Sequence, residues 1–133
     1  MAIMKKLEYE QASAEAKAVF DDIMKTRKVD TVNDIWKVLA NHPATMRRNW
    51  ESMKEAMAPG ALDSLTKEMI YIAVSINNNC DYCINSHTAA ARKAGMNDAM
   101  LSELIAVVSV ANAGNRLAIG YQVEVDDRFK PVL

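Results

Sequence analysis

Both cysteines and one of the two histidines of the chain fall within eight positions, in the stretch Asn77-Asn78-Asn79-Cys80-Asp81-Tyr82-Cys83-Ile84-Asn85-Ser86-His87. On a helix, Cys80 and Cys83 are one turn apart and His87 is a further turn along, so all three share a face. A cysteine in the first turn feels the positive end of the helix dipole, which lowers its pKa and raises the thiolate fraction. A second thiol at i+3 can close a disulfide after modest adjustment, which is what an attacking and a resolving cysteine require. His87 can exchange a proton with the Cys83 side of the pair. Glu68 is the other candidate, about three turns before the asparagines. If the two flanking helices pack antiparallel, Glu68 and His87 face each other across the seam. A carboxylate there is partly desolvated, with a raised pKa suited to relaying protons.

Each group also has a plainer reading. A CxxC is half of many zinc sites, but there is no second CxxC here, and two cysteines with one histidine lack an obvious fourth ligand. Glu68 alone reads as a solvated helix charge and His87 alone as a satisfied core histidine. His42, before Pro43, reads as a helix-end residue with no further role. Tyr82 and Trp50 read as packing residues.

The elements that must position these groups read as six helices and no sheet. Only four glycines and three prolines occur, β-branched runs are short, and Ala, Met, Lys and Glu are abundant. The first helix starts from Ser13 as N-cap, carries Ala16, Val19, Phe20, Ile23 and Met24, and fades near Arg27-Lys28. Thr31 can cap a short second helix with Ile35, Val38 and Leu39, ending before Asn41-His42-Pro43. Pro43 suits the first turn of a third, with Met46, Trp50, Met53 and Met57 on one face, a stripe that is core or an oligomer interface. After the break at Pro59-Gly60, Asp63 or Ser64 caps a fourth helix with a core stripe of Leu65, Met69, Ile72, Ala73 and Ile76. A second line on that helix, Glu68, Ile72, Ser75 and Asn79, is partly polar. The asparagines end it, and a fifth helix runs from about Cys80 to Ala94-Gly95, where glycine suits the left-handed C-cap position. Ile84, Ala90, Ala91 and Ala94 continue the thiol face, and the alanines let a neighbouring helix come close, so the thiols are expected in a seam reached by a narrow channel. The sixth helix runs from Asn97 or Asp98 toward Gly120, and the tail from Glu124 to Leu133 shows no usable periodicity.

At 133 residues the chain is expected to be one domain, residues 1–133, able to bury a single core. Sixteen basic against 17 acidic side chains give no electrostatic footprint for nucleic acid or an anionic membrane. The N-terminus lacks an apolar run after its charges and no segment reaches the 18 or so apolar residues of a span, so neither a signal peptide nor a spanning helix is expected. The expected compartment is the cytoplasm. Cysteines there are kept reduced, and a persistent disulfide is usually catalytic or redox-sensing.

The spacing Glu68, eleven residues, Cys80, two residues, Cys83, three residues, His87 resembles the signature of the alkylhydroperoxidase D-like (AhpD-like) branch of the carboxymuconolactone decarboxylase family. The likeness extends upstream to Leu39-Ala40-Asn41-His42-Pro43 and Leu62-Asp63-Ser64-Leu65-Thr66-Lys67-Glu68 and downstream through Ala89-Ala90 to Gly95, covering about residues 35 to 112. It implies an all-α fold and a thiol-dependent peroxidase that needs neither cofactor nor metal. In that family the CxxC reduces a hydroperoxide and closes to a disulfide, while the Glu and His relay protons. Carried over, Cys83 is the peroxidatic thiol, Cys80 the resolving one, and Glu68 with His87 the relay. Helix physics instead favours Cys80 as the more acidic thiol, so the order of the two stays open. The expected partners are a small-molecule hydroperoxide and a dithiol electron donor, lipoyl or thioredoxin-like, whose identity the sequence leaves open.

Two alternatives stand beside this reading. One is a decarboxylase-like enzyme acting on a lactone, although such members of the family do not use this CxxC. The other is a zinc-stabilised interaction domain without catalysis. The third and sixth helices carry more apolar residues than a small monomer readily buries, the latter with Leu101, Leu104, Ile105, Val107, Val108 and Val110, which predicts a homo-oligomer. Trimers and hexamers are common in the resembled family, and a hexamer, else a trimer, is expected here.

Overall fold

The computed structural model describes residues 3–131; Met1, Ala2, Val132 and Leu133, the outer ends of the terminal segments read above, lie outside the described residues. Among the described residues the architecture is all-α, with six helices, two short 3₁₀ turns and no strand. The chain divides into two compact units, Met1–Ala58 and Pro59–Leu133. No helix among the described residues is long and apolar enough to cross a membrane.

The first unit holds a 3₁₀ turn at Tyr9–Gln11, α1 (Ala14–Arg27), α2 (Asp34–Leu39) and α3 (Pro43–Met57). Ser13 caps α1 as expected, its Oγ accepting the Ala16 N–H at 3.2 Å. The second helix begins later than Thr31 suggests: its N-cap position is Asn33, whose side chain makes no capping bond. His42 is at a helix end, as expected. It is the N-cap of α3, and its Nδ1 accepts the Thr45 N–H at 3.2 Å, ahead of Pro43 at the first helical position. The core of this unit gathers Phe20, Ile23, Trp36, Met46 and Trp50, with Met53 packed against it. Trp50 donates its indole N–H to Asp22 at 2.6 Å, and the Lys54 ammonium reaches the same carboxylate. Lys54 first, and the indole after it, hold the Asp22 carboxyl below the ordinary carboxylate range.

That packing corrects one step of the assembly argument. Met46 and Trp50 are fully or almost fully buried within the first unit, so most of the α3 stripe is core rather than surplus apolar surface.

The second unit holds α4 (Ser64–Asn77), α5 (Asp81–Lys93), α6 (Asp98–Gly120) and a 3₁₀ turn at Asp127–Phe129 in the otherwise irregular tail. Asp63 caps α4 through the Thr66 N–H at 2.7 Å, a bond that also holds the Asp63 carboxyl below its ordinary range. Asn97 caps α6 through the Met100 N–H at 2.9 Å. The core is built on Ile72, Ala91, Met96 and Leu104, so α4, α5 and α6 each contribute a buried side chain to one cluster.

The sequence Asn77-Asn78-Asn79 ends α4 by a specific device. Asn78 is the C-cap, Asn79 takes the left-handed conformation at φ 55°, and two hydrogen bonds close the end: Asn79 N–H to the Ile76 carbonyl at 3.2 Å and Cys80 N–H to the Ser75 carbonyl at 3.0 Å. This is a Schellman ending with asparagine where glycine is usual, asparagine being among the few residues that tolerate that conformation. The same arrangement ends α5, where Gly95 sits at φ 109° and Met96 donates back to Ala91. The α4 ending turns the chain so tightly that α5 begins one residue after Cys80, making α4 and α5 an antiparallel hairpin.

Candidate active site

Cys80 belongs to both halves of that hairpin. Its backbone N–H closes the end of α4, while its side chain serves as the N-cap of α5, Sγ accepting the Cys83 N–H at 3.3 Å. The thiol face begins one position before the helix rather than inside its first turn. Cys83 lies in that first turn, and the two sulfurs are joined in a disulfide, with the Cα atoms 5.3 Å apart. Both residues are half-buried.

Glu68 and His87 meet across the α4–α5 seam, as the antiparallel packing requires. Glu68 Oε2 and His87 Nδ1 are 2.6 Å apart, and only 17% and 14% of the two side chains are exposed. An ionised carboxylate can only accept, so with Glu68 charged the proton of this bond sits on Nδ1. The neutral imidazole then keeps Nε2 as its free acceptor. His87 also stands one helical turn after Cys83 on the same face of α5. All four residues singled out by spacing are therefore brought onto one hairpin within a single unit.

Tyr71 was not among them. Its ring lies flat on the His87 imidazole, centroids 3.5 Å apart and planes inclined by 18°. The signal was present in the spacing: Tyr71 is three residues after Glu68, hence its neighbour on the same face of α4. Ser75, on the partly polar line with Glu68 and Ile72, is buried at 3% exposure beneath the hairpin turn. Among the described residues no group of three or more His, Cys, Asp or Glu side chains is gathered as a metal centre. In the disulfide form neither sulfur is a thiolate, the form in which cysteine ligates metal.

The model of the carboxymuconolactone decarboxylase family matches residues 43–122, a span that contains the whole hairpin. The chain belongs to that family. Among solved structures it is similar to the alkylhydroperoxidase AhpD core from Rhodospirillum rubrum, with 48% identity, 97% of each chain covered and a TM-score of 0.92. Curated relatives are more distant. An uncharacterised protein of the cox locus of Paracoccus denitrificans is 38% identical over 61 residues, 46% of this chain and 55% of that protein. An uncharacterised protein of Cupriavidus necator is 29% identical over 84 residues, 63% of this chain and 74% of its own length. The match thus spans little more than half of the Paracoccus protein. The AhpD-like all-α fold that the resemblance implies is the fold observed.

Proposed function

We propose that this protein is a thiol-dependent peroxidase that reduces hydroperoxides through a Cys80/Cys83 dithiol–disulfide cycle, with Glu68 and His87 moving the protons. The observation that carries the reading is the disulfide on the same hairpin as a half-buried Glu68–His87 pair. The likeness to the Rhodospirillum AhpD core supports it.

In the reduced state His87, through its free nitrogen, takes the Cys83 proton. The Cys83 thiolate attacks one oxygen of the hydroperoxide, the O–O bond breaks, and the alkoxide leaves as an alcohol with the proton from His87. Cys83 is then a sulfenic acid. The Cys80 thiolate attacks Cys83 Sγ, the S–O bond breaks, and the hydroxide departs as water on taking up the Cys80 proton. One hydroperoxide and two thiols give one alcohol, one water and one disulfide. Two thiols of an external dithiol donor, oxidised in turn, restore the pair by exchange through a mixed disulfide.

This division of roles uses both physical arguments. Cys80, at the N-cap, has its negative charge stabilised by the helix terminus and the Cys83 N–H, as an attacking resolving thiolate requires. Cys83 is the sulfur with a base one turn away. The test is turnover of cumene hydroperoxide and hydrogen peroxide with a panel of dithiol donors, including lipoyl and thioredoxin-type proteins. Peroxide consumption coupled to donor oxidation, with the protein cycling by a loss and gain of two hydrogens in mass spectrometry, is the expected result. A disulfide that dithiols reduce but that no hydroperoxide regenerates would reject the peroxidase.

A further inference from the structure

We propose that Tyr71 is a positioning residue of this site: its ring fixes the plane of the His87 imidazole, and thereby the direction in which the free nitrogen exchanges protons with the thiols. The proposal rests on the thiol-chemistry reading above but not on the identity of the oxidant.

Glu68 alone cannot fix the imidazole plane. One hydrogen bond at Nδ1, 2.6 Å long, fixes one edge of the imidazole. The last torsion of a histidine is broad rather than sharply staggered, so a ring tethered at one edge can still swing about that tether. A swing of the ring carries Nε2 with it, and proton transfer needs that nitrogen within hydrogen-bond reach of its partner. Tyr71 removes this freedom. Its ring lies against the imidazole face at 3.5 Å with only 18° between planes, so rotation of the imidazole drives its edge into the phenol.

Glu68 and Tyr71 therefore hold two different degrees of freedom of one side chain. Both come from the same face of α4, three residues apart, so the helix itself sets their relative placement. The aromatic face also suits the charge cycle. When His87 accepts a thiol proton it becomes a cation, and a tyrosine face attracts a cation that lies against it. A packing role is the competing explanation. The core of this unit is centred on Ile72, Ala91, Met96 and Leu104, whereas Tyr71 is half-buried and turned toward His87.

The test uses the full chain with Cys80→Ser, so that Cys83 is the only thiol, and measures its alkylation by iodoacetamide from pH 5 to 9. Adding Tyr71→Leu should slow alkylation at neutral pH by about tenfold or more, the scale on which misplacing a reacting group acts, and should alter the pH dependence. Tyr71→Phe, which keeps the ring and loses the hydroxyl, should restore most of that loss. Equal rates for Tyr71→Leu and its parent would reduce the ring to packing, and a Tyr71→Phe rate as low as that of Tyr71→Leu would assign the effect to the hydroxyl; either overturns the proposal. Should Tyr71→Leu fail to fold, proton NMR of the unsubstituted chain decides. With only two histidines, the His87 ring signals are assigned by their absence in His87→Asn, and the stack should move them upfield of those of His42. Signals at ordinary positions would overturn it too. Alkylation needs no hydroperoxide, so a protein that turns over no peroxide could still satisfy or fail this test.

Discussion

At the scale of single residues, the proposed cycle separates what makes a thiolate from what moves a proton. In that cycle the Cys80 thiolate is served by a helix terminus and a backbone N–H, which are fixed partial charges and need no titrating partner. There Cys83 depends on His87 for its proton transfer, and His87 is held by Glu68. We expect Cys83→Ser to abolish peroxide turnover, whereas Cys80→Ser should still consume about one equivalent of peroxide before stalling as a sulfenic acid or a higher oxide. Stopped-assay thiol counts and mass spectrometry distinguish the two. Retained turnover in Cys83→Ser together with its loss in Cys80→Ser would reverse the roles. For Glu68→Gln the expected outcome is a rate lower by about 10² to 10⁴, the usual worth of acid-base assistance. One limb of the pH–rate profile should vanish with it while the melting temperature barely moves. An unchanged profile would return Glu68 to a helix-face charge.

At the scale of elements, the α4–α5 hairpin does the positioning, and its turn is the point of greatest sensitivity. Asn79 at φ 55° permits the ending that brings the Cys80 N–H to Ser75 and leaves its sulfur over the start of α5. A β-branched residue resists that conformation strongly, so Asn79→Val should cost about 1–2 kcal/mol. Asn79→Gly should be tolerated. If the turn sets the sulfur position, disulfide closure after peroxide addition should slow in Asn79→Val beyond what its stability loss explains. A normal closure rate in a measurably destabilised variant would show that the CxxC geometry is independent of the turn.

At the scale of the whole molecule, α6 and the tail after it leave a broad apolar surface exposed. Leu104 is buried, but Ile105, Val107, Val110, Leu117 and Ile119 are 49–75% exposed, and Tyr121, Val123, Val125 and Phe129 continue the apolar surface along the tail. A helix so apolar around its circumference calls for more than one packed side. We propose that this surface meets other copies of the chain, with a hexamer built as a trimer of dimers the first expectation and a trimer the second. Light scattering at micromolar concentration should give a multiple of 14.8 kDa. A 14.8 kDa species would show that α6 remains solvated and the assembly does not form.

The elements and the reactive residues were legible in the chain because both are local properties. Caps at Ser13, Asp63 and Asn97, the proline that opens α3 and the glycine that ends α5 act within a few residues of themselves. The i, i+3, i+7 spacing of Cys80, Cys83 and His87 is likewise a relation within two successive turns. At the start of α2 the local signal misled, since Thr31 reads as a cap whereas the helix begins after Asn33, whose side chain makes no capping bond. His42 was legible as a helix-end residue, while the bond its Nδ1 accepts from the Thr45 N–H was not. Tertiary structure decided the relations between helices: that Glu68 bonds His87 rather than water, that Tyr71 covers the imidazole face, and that the α3 methionine stripe is largely core while the α6 face stays exposed. Those depend on which faces of two helices meet, and that is set by the fit of side chains from segments far apart in the chain.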